Sequence, residues 1–117
     1  MKVLVVEDAR TLRTALKIAI EAQPDLDCVG AVPTVQAAIA VAAVDPPDVV
    51  MMGIHLQGAD GIEGTRQFAA AHPKARVLIL TADRRPGVAS AAISAGAENV
   101  LVKDTEFPDI LAAIRAG

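Results

Sequence analysis

The chain has 117 residues, of which 53% are hydrophobic and 21% charged, so it suits one globular domain and excludes a disordered chain. Aromatic residues make up 2%, Phe68 and Phe107 with no Trp or Tyr, which removes any stacking platform for single-stranded nucleic acid. Eleven Lys and Arg against fourteen Asp and Glu give a formal net charge of -3, so neither direct nucleic-acid binding nor attraction to an acidic membrane is expected of this domain.

Short β-branched runs alternate with longer segments of helical period. The first run, 3–6, is followed at once by Glu7 and Asp8. Leu12, Ala15, Leu16, Ala19 and Ile20 then recur at i, i+3, i+4, i+7 and i+8, an amphipathic helix that ends before Pro24. The second run, 28–32, opens with the single cysteine, Cys28. One cysteine excludes an internal disulfide and a multi-cysteine zinc site, and its apolar neighbours make it a buried small hydrophobe before a reactive thiol. Thr34 is the expected N-cap of a second helix carrying Val35, Ala38, Ile39 and Ala42. After Pro46 and Pro47 the third run, 49–52, ends at Gly53, and helical period resumes over 62–72. Beyond Pro73 the fourth run, 77–80, ends at Thr81 and Ala82, and a helix over 88–95 stops at Gly96. The fifth run, 100–102, ends at Lys103 and Asp104. Thr105 is the expected N-cap of a last helix with Phe107, Ile110, Leu111 and Ile114 on one face.

Five strands alternating with five helices, without a repeat or an internal linker, predict a single α/β domain over 1–117. Continuous apolar runs suit a parallel sheet covered on both faces, and right-handed crossovers make it a doubly wound (βα)5 structure. No apolar stretch approaches the ~20 residues of a membrane span. Met1 and Lys2 are followed by only four apolar residues before Glu7, so no secretory signal is read. The expected location is the cytoplasm.

In such a sheet the ligand site lies beyond the carboxyl ends of the strands. There Glu7 and Asp8 form an acidic pocket able to share a hard cation through oxygen. The Thr81 hydroxyl and the Lys103 ammonium, at two further strand ends, are expected to converge on an anionic ligand held by that cation.

That ordered set resembles the receiver domain of bacterial response regulators, the CheY-like or flavodoxin-like module of two-component signalling, over essentially the whole chain. Val5-Val6-Glu7-Asp8 looks like its metal-binding acidic pair. The stretch 47–61 looks like its third strand and following loop, and Leu80-Thr81-Ala82 carries its hydroxyl. Ala95-Gly96-Ala97 and Val102-Lys103-Asp104 match the end of its fourth helix and its lysine turn. Lys103-Asp104, in place of Lys-Pro, is similar to the NarL/FixJ (LuxR-type) transcription regulators. The resemblance implies the strand order 2-1-3-4-5.

It also implies an aspartate at the end of the third strand, which accepts a phosphoryl group and supplies a third ligand to magnesium. Here that position is Gly53, without a nucleophile or a side-chain oxygen. Asp48 and Asp60 are too far along the chain to replace it, and His55, two residues on, reads as a loop residue before a substitute acceptor. The family's loop proline is Gln57 and its aromatic switch residue is Val100. With the third acid gone, Lys103 is expected to neutralise the pocket itself, most simply through a Lys103–Asp8 ion pair, and magnesium to bind weakly or not at all. Glycine at a strand end supplies no packing, so no purely structural advantage of Gly53 is expected.

No charged residue occurs from 32 to 44 or from 86 to 97, so the second and fourth helices are candidate contact surfaces. Receivers often pair through helix four, strand five and helix five, and a homodimer through that face is expected, with Ala91 and Ala92 on it. A face on helix one, with Arg13 and Lys17, is the alternative. Arg84 and Arg85 read as a solvated loop end.

The expectation is a degenerate receiver, not an enzyme. It acts in signal transduction and transcription regulation without phosphorylation at the usual place, through a C-terminal helix-turn-helix output domain outside these residues. Three other readings stay open: a small-molecule-binding regulatory module, a stand-alone adaptor, and a conventional phosphoaccepting receiver carrying an Asp-to-Gly change at position 53.

Overall fold

A computed structural model of the chain describes residues 1–56 and 59–116. The elements run β1 (Lys2–Val6), α1 (Arg10–Glu21), β2 (Asp27–Val32), α2 (Val35–Val44), β3 (Val49–Met52), β4 (His55–Leu56), β5 (Ala59–Asp60), α3 (Gly61–Ala71), β6 (Arg76–Thr81), α4 (Pro86–Ala95), β7 (Asn99–Val102) and α5 (Phe107–Arg115). Five strands form a parallel sheet in the order β2-β1-β3-β6-β7. This is the predicted 2-1-3-4-5 order once the small antiparallel pair β4–β5 is left out of the count. That pair lies where only a loop was expected.

Side chains alternate across the sheet with period two, so each apolar run supplies both faces. Leu4, Val6, Val50, Met52, Val77 and Ile79 point to one side, where Val35 and Ala38 of α2, Phe68 of α3 and Ala92 of α4 cover them. Val3, Val5, Val49, Met51, Leu78 and Leu80 point to the other, against Leu16 and Ile20 of α1 and Ile110 and Ile114 of α5. The central strands have no polar face because neither side of them meets water.

Thr34 caps α2 as expected, its hydroxyl accepting from the Ala37 N–H at 3.1 Å. Thr105 does not cap α5. Glu106 is the N-cap, without a side-chain hydrogen bond, while the Thr105 N–H is drawn back to the Val102 carbonyl. Cys28 is only half-buried, because β2 is an edge strand. Burial nonetheless pushes its thiol upward, as an inert thiol requires. Ala92 is 0% exposed, so it belongs to the core and not to a contact face; Ser90, Ala91, Ile93 and Ser94 form the outer side of α4. Gly96 ends α4 at φ 115°, a left-handed turn that favours glycine. Among the described residues no helix is long and apolar enough to cross a membrane.

Candidate functional site

Parallel strands all end at one edge, and there β1 delivers Glu7 and Asp8, β3 Gly53, β6 Thr81 and β7 Lys103. The two acids separate. Asp8 is exposed, whereas Glu7 is 2% exposed and turned inward. Glu7 Oε2 accepts from the Ala9 N–H at 2.8 Å, and Glu7 Oε1 stands 3.1 Å from Lys103 Nζ. The Glu7 N–H donates to the Val32 carbonyl, and the Glu7 carbonyl accepts from Arg13 Nη1 at 2.9 Å.

The expected Lys103–Asp8 ion pair is therefore replaced by Lys103–Glu7. A carboxylate removed from water needs a counter-charge, and Glu7 is the one removed; Asp8 keeps its hydration. Arg13, half-buried in α1, holds the turn by donating to both carbonyls, the second at 3.2 Å, and is not a free surface residue.

Gly53 is buried, and its N–H donates to the Val6 carbonyl at 2.8 Å. A Cβ built on it would lie 2.9 Å from Glu7 Oε1 and 3.1 Å from Leu56 Cδ2. A side chain at 53 would therefore require the end of Glu7, held by Lys103 and the Ala9 N–H, to shift.

The Thr81 hydroxyl, buried, accepts from the Asp83 N–H at 3.0 Å, which ties it to the following turn. Val100 is half-buried in β7 and packs on the core beside α4. Asp48 lies at the opposite edge, accepting from the Lys2 N–H at 2.7 Å, and Asp60 caps α3 through the Ile62 N–H at 2.8 Å. Neither reaches the pocket. Gln57 lies outside the described residues.

Asp83, which in the sequence stands out only as the residue after Thr81-Ala82 that departs from the family pattern, organises this rim. Its carboxylate takes the side chain and the N–H of Arg85, and His55 Nε2 stands 3.5 Å away. Hydrogen bonds from Arg85 hold Asp83 well below the usual carboxylate range. His55 is 72% exposed and faces Asp83, not the acidic pocket. Arg84 pairs with Asp104 across the loops, so both arginines have partners. The Asp83–Arg85 spacing was visible in the sequence; the Arg84–Asp104 contact depends on two strand ends meeting. A cavity of about 380 Å³ lined by Ala82, Arg84, Lys103 and Asp104 opens beside the pocket.

Magnesium prefers a near-octahedral shell of oxygens. Glu7 has one oxygen on an ammonium and the other on an amide, Gly53 has no side-chain oxygen, and only Asp8 keeps a solvated carboxylate. As arranged, these residues do not fit the ion. Among the described residues no group of three His, Cys, Asp or Glu is placed to hold a metal.

A family model described as the response regulator receiver domain matches residues 3–115. The chain is 31% identical over 116 residues to the transcriptional regulatory protein LiaR of Bacillus subtilis, covering 99% of this chain and 55% of that protein. It thus spans about half the length of the curated relatives it matches. A two-component response regulator of the LuxR family from Aurantimonas superposes with a TM-score of 0.91 at 29% identity, covering 98% of this chain and 82% of that one. The response regulator domain of Thermotoga maritima CheB gives a TM-score of 0.89 at 28% identity, over 99% and 94%.

Proposed function

Because the chain belongs to the response regulator receiver domain family, we propose that it is a receiver-type signalling module whose state is not set by phosphorylation at the end of β3. One observation carries this reading: the β3 end is Gly53, and the Glu7 carboxylate, which a Cβ at 53 would approach to 2.9 Å, is paired with Lys103. Phosphoryl transfer to a receiver needs a carboxylate oxygen at that point, with a cation to neutralise the incoming charge. Neither is supported by this donor set, so the module has no self-phosphorylating activity and binds magnesium weakly at best.

Output then comes through contact. LiaR is named a transcriptional regulatory protein, which supports a helix-turn-helix output domain outside residues 1–117 as the effector. Constitutive pairing of two copies through α4, β7 and α5 replaces the phosphorylation-driven change. Support comes from the outer side of α4, where Ile93 is 49% exposed and no charged residue occurs from 86 to 97. The test is fluorine NMR of the domain with beryllofluoride and millimolar magnesium. No stoichiometric complex is expected; a saturable one overturns the reading.

A further inference from the structure

Building on that reading of Gly53, we infer that Glu7 is the internal counter-ion of the pocket: it fills the space over Gly53 and holds Lys103, so that positions 7 and 53 act as one unit. Glu7 Oε1 is the nearest atom to a Cβ at 53, at 2.9 Å, and the same oxygen is 3.1 Å from Lys103 Nζ. The second oxygen is taken by the Ala9 N–H. A carboxylate this buried is tolerated only when it is paired and hydrogen-bonded, and each Glu7 oxygen has a partner within the chain.

The effect extends to the β7–α5 turn. The Lys103 N–H donates to the Thr81 carbonyl at 2.9 Å and the Thr105 N–H to the Val102 carbonyl at 3.0 Å, so the residue whose ammonium Glu7 fixes is part of that turn's own ladder. Of the other charged groups at this edge, Arg84 and Asp104 pair with each other and Asp8 stays exposed. Glu7 is accordingly a positioning residue for Lys103. A side chain restored at 53 competes with it for the same space.

The test is a four-protein thermal unfolding cycle: parent, Gly53→Ala, Glu7→Ala and the double variant. Gly53→Ala is expected to lower the parent's Tm by about 5–10 °C, as overpacking does in a domain of this size. It should cost less than half as much in the Glu7→Ala background, because Glu7 no longer stands in the way. Equal losses in the two backgrounds overturn the inference. Glu7→Gln, which keeps the volume and removes the charge, gives a second readout that does not depend on Glu7→Ala folding. Acetylation of Lys103 relative to exposed Lys74, followed by mass spectrometry, should rise several-fold in Glu7→Gln; an unchanged ratio also overturns it. Beryllofluoride binding by the parent would defeat the functional reading while leaving this coupling intact, so the two failures are distinguishable.

Discussion

Arg76 grips both carboxylate oxygens of Glu98, Nε to Oε1 at 2.9 Å and Nη2 to Oε2 at 2.6 Å. The same guanidinium donates to the carbonyls of Ile114 and Ala113 at 2.6 and 2.9 Å. One side chain thus ties β6, the approach to β7 and the C-terminus of α5, satisfying carbonyls that a helix end leaves without partners. Arg76→Ala is expected to cost about 1–3 kcal/mol in urea unfolding. Arg76→Lys should recover little of it, since an ammonium cannot fork between a carboxylate and two carbonyls. A loss within error for Arg76→Ala would refute the clamp.

Acid should weaken the fold at its rim. Asp83, Asp25 and Glu98 are held below the usual carboxylate range, in each case first by hydrogen bonds from an arginine: Arg85, Arg115 and Arg76. Their folded pKa values lie below the unfolded ones. The stability they contribute is therefore present above the unfolded carboxylate range and is lost as pH falls through it toward the folded values. Tm is expected to drop between about pH 5 and about pH 3. The drop should be shallower in Asp83→Asn and in Asp25→Asn, and salt should flatten the Asp25 contribution most because the Asp83 carboxylate is shielded from solvent. Parallel curves for parent and variants would contradict the assignment.

Gly53→Asp adds a third carboxylate to the pocket but places it against Glu7. Overpacking and like-charge repulsion should lower metal-free stability by about 1–3 kcal/mol. Magnesium affinity should rise above the parent's, and rise further when Glu7→Asp withdraws the competing carboxylate by one methylene. Unfolding curves with EDTA and with magnesium measure both effects. If Gly53→Asp binds magnesium no better than the parent, the metal position lies elsewhere.

Assembly is tested on the exposed side of α4. The parent should sediment as a dimer at micromolar concentration, and Ala91→Glu should shift it to monomer, because a two-fold contact would bury the new charge twice and unpaired. Ala92→Glu is unsuitable as a probe. Ala92 is wholly buried, so that change should unfold the domain itself and not merely separate a dimer. A monomeric parent, or a dimer indifferent to Ala91→Glu, removes this face from consideration.

Much of the fold is legible in the chain because its signals are local. The apolar runs, the prolines and Gly96 between them, and the Thr34 cap each act within a few residues. The sheet order followed from the resemblance and from the rule of right-handed crossovers. The choice of Glu7 over Asp8 was not legible. Both acids adjoin the same strand, and only the assembled edge shows which of them is turned away from water. The steric role of Gly53 was hidden for the same reason, since the atom it must avoid belongs to a different strand end, far away in sequence. Ala92 misled because an alanine-rich, charge-free helix has no sequence contrast between its inner and outer sides. Glu106 displaced Thr105 as a cap because the turn's hydrogen bonding drew the Thr105 amide back to β7.

β7 is a four-residue, half-buried edge strand paired with β6, and α5 is fastened beyond its own packing by Arg76 and by the bonds from Arg115 to Asp25 and Gln23. Such an edge is where a domain opens first when it opens locally. Peeling β7 away would carry Lys103 off and leave the Glu7 carboxylate inside the protein without its ammonium. Such an opening would therefore cost the buried Glu7 carboxylate its counter-ion in addition to the β7 hydrogen bonds.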